Sequence, residues 1–229
     1  MTACVFATQV PVTLIGGGPV SEGDLQAASA VAPAYVAADG GANFAHARNV
    51  PVEAVIGDFD SISDVARQSI PTSRQHPVTE QFSTDFEKAL RGIDTPLVIG
   101  IGFLGGRVDH QLAALHTLLA FPHQPCVLLG VSEIVFLAPP SIQFDARAGD
   151  VVSLFPMGRC AGHSTGIAWP INGLAFQPGT KIGTSNIAQG PVQLQMDRPN
   201  MLVILPRRYL ARIAAQLLEP GAEKWPAPA

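Results

Sequence analysis

Short apolar runs that stop abruptly at glycine or aspartate constrain this chain more than any other feature. Residues 10–15 end in Gly16-Gly17-Gly18, residues 34–38 in Asp39-Gly40-Gly41, residues 54–56 in Gly57-Asp58, and residues 96–101 in a loop from Gly102 to Val108. Runs this short and apolar suit strands buried on both faces, as in a parallel sheet. Helical patterns separate them. Ser21 starts one that reaches about Val31, and a second covers about Ala42 to Arg48. Thr84 followed by Glu87 forms a capping box for a third, through about Arg91. Asp109 caps a fourth from His110 to Phe121, with Leu112, Leu115, Leu118 and Leu119 on one face. Residues 126–129 make a last strand. The alternation predicts an α/β fold whose N-terminal part is a doubly wound, mostly parallel sheet.

The pattern changes after Pro139-Pro140. Residues 141–145, 150–155, 174–177, 192–197 and 201–205 read as strands, with glycine, proline and asparagine turns between them. No helical period returns until about Arg207. This predicts a C-terminal antiparallel β-sandwich, so the expected division is residues 1–138 as an α/β domain and 139–229 as a sandwich domain ending in a helix. The tail 219–229, with three prolines, is expected to fray.

Composition narrows the functional classes. Hydrophobic residues make up 47% and charged residues 14%, with 22 glycines and 20 prolines dispersed through the 229-residue chain. That excludes a coiled coil, a disordered chain and a collagen-like repeat. With 14 basic against 18 acidic residues the net charge is −4, so neither nucleic acid nor an anionic membrane surface is an expected partner. The first 15 residues lack a basic start and are interrupted by Gln9 and Pro11, unlike a signal peptide, and no apolar run has membrane-spanning length. Cys4, Cys126 and Cys160 are odd in number and far apart, which predicts free thiols in a reducing cytoplasm and no zinc site.

Ligands of open α/β sheets bind beyond the carboxyl ends of the strands. Asp39, Asp58, Asp60 and Asp109 follow predicted strands there, and Asp85 lies in the first turn of a helix. A lone aspartate in a turn is ordinarily a local cap. Asp58 and Asp60 are different: in an extended segment residues i and i+2 face one point, and two adjacent carboxylates repel unless a cation sits between them. A hard divalent ion, chiefly Mg2+, suits that pair. The glycine turns at residues 16–18, 40–41 and 105–106 offer backbone amides to phosphate, though none completes a nucleotide-binding fingerprint. Arg107 has the planar fork for a phosphate, or for a neighbouring acid. His110 and His116 are six apart on one helix, which is no ligand spacing, and both read as structural or solvent-facing. A metal-dependent nucleotide-sugar glycosyltransferase also uses an Asp-x-Asp pair on an α/β sheet, but 229 residues leave little room for its acceptor domain.

Taken together, Ala38-Asp39-Gly40-Gly41-Ala42-Asn43, Gly57-Asp58-Phe59-Asp60-Ser61, Thr84-Asp85-Phe86 with Lys88, and Gly105-Gly106-Arg107 with Asp109-His110 resemble the thiamine pyrophosphokinase family. So do Ser164-Thr165-Gly166 leading to Trp169, and Thr184-Ser185-Asn186. These motifs occur in the family's order across residues 12–205. The resemblance implies transfer of diphosphate from ATP to the hydroxyl of thiamine, giving thiamine diphosphate and AMP. It implies a homodimer in which thiamine lies between the α/β domain of one subunit and the sandwich of the other. By motif, Asp58, Asp60, Asp85 and Asp109 surround Mg2+ and the reacting groups. Gly17, Asp39, Gly40, Gly41, Lys88 and Arg107 hold the nucleotide, while Gln81, Trp169, Ser185 and Asn186 meet thiamine. Gly183 and Phe82 depart from the family pattern, Phe82 standing in a stretch that is often polar. A catalytically silent thiamine- or nucleotide-binding regulator would have lost a carboxylate, and all four are present.

Overall fold

The computed structural model describes residues 4–227. The chain forms two compact units, one of residues up to Thr117 with Leu128–Val131, the other of Leu118–Val127 with residues from Ser132 onward. The division expected near Pro139 therefore falls inside the second unit, because the segment before it already crosses between the two.

In the first unit a two-residue strand β1 (Phe6–Ala7) precedes β2 (Val12–Ile15), α1 (Glu22–Ser29), β3 (Ala34–Ala38), α2 (Gly41–Ala47), β4 (Ala54–Gly57), α3 (Asp64–Ser69), β5 (Gln75–Pro77) and α4 (Asp85–Gly92). Then come β6 (Ile93–Asp94), which pairs with β1, β7 (Val98–Ile101), α5 (Val108–Ala120) and β8 (Cys126–Leu129). The strand order is β8-β7-β2-β3-β4-β5. The β2, β3, β4, β5 and β7 pairings are all parallel, with Val12 opposite both Ala34 and Val98. Every residue of β2, β4, β7 and β8 is buried, as strands covered on both faces must be. From β2 the chain runs outward to β5, then returns to β7 on the other side of β2. The order reverses between β2 and β7, which is where an open α/β sheet leaves a crevice.

Local chemistry sets the helix starts. Ser21 and Asp24 form a reciprocal capping box on α1, and Thr84 accepts the Glu87 amide at the start of α4. The Glu87 carboxylate, however, turns to Arg91. Helix α5 begins at Val108, two residues earlier than expected, so Asp109 lies within its first turn instead of capping it.

The second unit holds β9 (Glu133–Leu137), β10 (Ser141–Phe144), β11 (Val151–Pro156), β12 (Cys160–Ile167), β13 (Ala175–Phe176), β14 (Gly183–Met196), β15 (Met201–Pro206) and α6 (Leu210–Leu218). All its pairings are antiparallel. Strand β14 serves two sets of partners: its first half pairs with β11, its second with β10 and β12. Trp225 donates its indole N–H to the Ala138 carbonyl at 2.8 Å, so the described part of the tail is anchored rather than frayed; residues 228–229 lie outside the described residues. The three cysteines are free, Cys126 and Cys160 buried but Cys4 exposed. Burial pushes the Cys126 thiol strongly up and the Cys160 thiol up to about 11. Among the described residues no helix is long and apolar enough to cross a membrane.

Candidate functional site

The carboxyl ends of β2, β3, β4 and β7 open onto a cleft of about 660 Å³ in the first unit. Gly17 and Gly18 border it after β2, Asp39 and Gly40 after β3, Asp58 and Ser61 after β4, and Gly102 and Arg107 after β7. Gln81, Asp85 and Lys88 reach it from the segment around the start of α4, and Phe86 packs on Phe103 beside it with ring centroids 4.4 Å apart.

Close backbone approach explains two of the glycines. A Cβ on Gly41 would stand 2.0 Å from the Ile15 carbonyl oxygen, so only glycine lets α2 start against the end of β2. A Cβ on Gly57 would stand 2.6 Å from the Asp39 Cβ. Gly41 thus shapes the rim by packing and does not itself line the cleft.

Asp39 is 1% exposed, with φ of +39°. Its Oδ2 accepts the Ser61 amide at 3.0 Å, while its buried Oδ1 has no hydrogen-bond partner. One carboxylate oxygen from each of Asp39, Asp58 and Asp60 lies within 4.8 Å of the others. Burial pushes the Asp39 carboxyl up, and the Asp85, Asp58 and Asp60 charges push the same way against the Ser61 amide. A buried acceptor lacking a donor is costly, and a hard divalent cation supplies what it lacks. These three residues fit such an ion. The sequence reading assigned Asp39 to the nucleotide; the geometry gathers it with the acid pair.

The pair itself is built differently from the expectation. Phe59 has φ of +68°, a left-handed conformation rare for a bulky side chain, so the segment turns instead of extending. Asp58 and Asp60 come together because the Asp60 amide donates to Asp58 Oδ1 at 3.3 Å across that turn. The strained residue sits at a site, where such strain is commonly found.

Lys88 is the hub. It is 2% exposed, and its Nζ donates to Asp58 Oδ2 at 2.9 Å and Asp85 Oδ1 at 3.2 Å. Gln81 Nε2 also donates to Asp58 Oδ2, at 3.1 Å. The Lys88 hydrogen bond, chiefly, holds the Asp58 carboxyl below its usual range. Burial pushes Asp85 up despite the same lysine. Burial works to lower the Lys88 ammonium, and its bonds to Asp58 and Asp85 outweigh that and leave it raised.

Asp109 stands apart. It is 62% exposed, does not border the cleft, and is gripped by Arg107 through Nε–Oδ1 at 3.1 Å and a second bond from Nη2. That fork, chiefly, keeps its carboxyl low. His110, read as structural or solvent-facing, is exposed and borders the cleft, which Asn43 and Gln111 also border. Asn43 ties the Asp58–Ser61 turn to α2 by donating to the Ser61 carbonyl at 2.8 Å and accepting the Ser63 amide at 2.8 Å. Its place in the Gly40-Gly41-Ala42-Asn43 run was the available signal. For His110 the signal was its place in the Gly105-Gly106-Arg107 and Asp109-His110 run, while its direction depends on where α5 starts.

Trp169, Ser185 and Asn186 belong to the second unit. Asn186 is 5% exposed and clamps the Trp169 backbone, accepting its amide at 3.1 Å and donating to its carbonyl at 2.7 Å, while also accepting the Ile187 amide. Its amide group is therefore spent on holding Trp169, a residue 62% exposed. Ser185 has φ of +60°, and its amide donates to Ser153 Oγ at 2.9 Å.

Comparison with known proteins points one way. Residues 25–129 match the family model described as thiamin pyrophosphokinase, catalytic domain. Thiamine pyrophosphokinase 2 of Oryza sativa subsp. japonica is 30% identical over 171 residues, 66% of this chain and 63% of that protein. The chain thus spans less than two thirds of that relative's length. In fold, the thiamin pyrophosphokinase from Candida albicans superposes with a TM-score of 0.72 at 15% identity, covering 86% of this chain and 89% of that one. The thiamin pyrophosphokinase from Geobacillus thermodenitrificans gives 0.68 at 22% identity, covering 86% and 97%. The resemblance to this family holds in sequence and in fold.

Proposed function

We propose that this chain is a thiamine pyrophosphokinase, transferring diphosphate from ATP to the hydroxyl of thiamine with Mg2+ and releasing thiamine diphosphate and AMP. The observation that carries the reading is the cleft in which the orphaned Asp39 Oδ1, the Asp58–Asp60 turn and the buried Lys88 meet glycine-rich strand ends. The match of residues 25–129 to the family's catalytic domain supports it.

In this reading the triphosphate lies along Gly17, Gly18 and Gly40, with Arg107 at its edge. Asp39, Asp58 and Asp60 hold Mg2+, which when bound offsets charge on the phosphate oxygens. The thiamine hydroxyl oxygen bonds to the β-phosphorus and the bond from that phosphorus to the α–β bridging oxygen breaks. AMP leaves with that oxygen, and the hydroxyl proton passes to a carboxylate. Asp85 suits that role better than Asp109: burial raises the first, while Arg107 holds the second low and away from the cleft. The acids also favour a cationic acceptor.

In this reading the first unit is a doubly wound sheet and the second an antiparallel sandwich that adds thiamine contacts of its own. Trp169 and Ser185 meet the acceptor and Asn186 positions Trp169. The chain works as a homodimer, a reading supported by the exposed Val151 and Phe155 of β11 beside Ile187, the partner of Val151 in β14. Free cysteines suit the cytoplasm. Incubation with thiamine, ATP and Mg2+ followed by chromatography tests the activity: AMP with thiamine diphosphate supports it, while ADP with thiamine monophosphate, or no turnover, sinks it.

A further inference from the structure

Between β5 and α4 the chain makes a turn whose one aromatic side chain is left in solvent. Phe82 is 84% exposed. An aromatic ring left in water is unremarkable on a loose loop, but this loop is built. The Glu80 carboxylate accepts the Phe82 amide at 3.0 Å, the Ser83 amide at 3.1 Å and the Ser83 hydroxyl. Glu80 is also paired with Arg91 of α4 at 3.6 Å, and Arg91 with Glu87. Gln81, next to Phe82, is fixed in the cleft on Asp58. The ring is thus carried by a backbone tied on one side to α4 and on the other to the acid cluster.

Sheet order says which ligand this ring is near. Across β7-β2-β3-β4-β5, the glycine turns and Arg107 follow β7, β2 and β3, the end that suits phosphate. The acids Asp58 and Asp60 follow β4, and the Phe82 turn follows β5 at the edge, beside carboxylates. An aromatic face among carboxylates attracts a planar cation.

We propose that Phe82 is a specificity-determining residue whose ring covers the cationic ring of the acceptor, with Glu80 as the positioning residue that holds it there. The proposal rests on the thiamine reading above and deepens it. Because Phe82 is 84% exposed, its replacement is expected to leave the fold intact.

The test is equilibrium binding of thiamine and, separately, of ATP with Mg2+ by calorimetry to wild type, Phe82→Ala, Phe82→Tyr and Glu80→Gln, with turnover measured in parallel. Phe82→Ala is expected to weaken thiamine binding about threefold to thirtyfold, leave ATP binding unchanged and raise the thiamine KM more than it lowers kcat. Phe82→Tyr retains binding, and Glu80→Gln reproduces part of the loss. Weakened ATP binding with thiamine unaffected assigns the ring to the nucleobase and overturns the proposal. So does unchanged binding of both ligands, or a loss of dimer in Phe82→Ala that accounts for the effect. A wild-type protein that binds thiamine through Phe82 yet makes no thiamine diphosphate would overturn the proposed activity and leave this inference standing.

Discussion

Replacing Lys88 by methionine tests the electrostatics of the cleft most directly. Methionine keeps the length and apolar stem, so Lys88→Met deletes a charge and little volume. In metal-free protein the change leaves Asp39, Asp58 and Asp85 facing one another without the ammonium that bridges two of them. Removing one partner of a buried pair costs about 3–5 kcal/mol. Asp58 is 12% exposed and Asp85 37%, so solvent screens the second contact and the low end, about 3 kcal/mol, is expected. Proton uptake sets a ceiling. Neutralising a carboxyl of ordinary value 3.8 costs about 4 kcal/mol at about pH 7 and about 2 kcal/mol at about pH 5. The sign follows from the carboxyls left without the ammonium: buried and facing one another, they hold a folded value above 3.8, so their penalty is largest at high pH and shrinks as pH falls toward 3.8. Urea unfolding in a chelator should therefore give a loss of about 3 kcal/mol near pH 7 that shrinks below about 2 kcal/mol near pH 5, and a melting point lower by about 6–12 °C at neutral pH. A variant within about 1 kcal/mol of wild type at neutral pH, or a gap that widens on acidification, would refute the reasoning.

Asp58→Asn should abolish turnover and, because Lys88 then keeps only Asp85 as a charged partner, lower the melting point while the protein stays folded by circular dichroism; near-normal turnover would remove the acid turn from the metal's ligands. Gly57→Ala should cost about 1–3 kcal/mol, because its Cβ meets that of Asp39, and it should impair turnover by displacing that carboxylate; calorimetric unfolding and steady-state rates read both. Asn186→Ala leaves the Trp169 amide and carbonyl without their partner and should raise the thiamine KM while sparing that of ATP; an unchanged thiamine KM counts against the clamp. In the second unit, the Tyr209 hydroxyl at 2.6 Å and Arg208 hold the Asp150 carboxyl low. Asp150→Asn should accordingly flatten the loss of stability seen as pH falls below 3.8, measured as urea midpoints against pH.

Much of the fold was legible because its cause was local. Strands β2, β3, β4, β7 and β8 are apolar runs cut by glycine or aspartate, and Ser21 and Thr84 each accept the amide three residues on, as their sequence context dictates, although Glu87 leaves the second box half formed. Strand β12 was missed because its Gly162, His163, Ser164 and Gly166 carry no apolar alternation; it is a strand because β14 and β13 pair with it. The first half of β14 was missed for the same reason. In the tail, prolines pointed to fraying, and the distant Ala138 carbonyl that receives Trp225 has no trace in the local sequence.

The sequence by itself determined the residue types and the side of the sheet: acids and glycines at strand ends share one rim, since strand polarity follows from the alternation with helices. Only the tertiary structure decided which acids meet. It drew Asp39 into the pair, because Gly57 lets β3 and β4 end at close range. It set Asp109 aside with Arg107, because α5 begins two residues early. It also buried Lys88 between Asp58 and Asp85. Those outcomes depend on distances of a few ångströms between segments far apart in the chain, and periodicity carries no information about them.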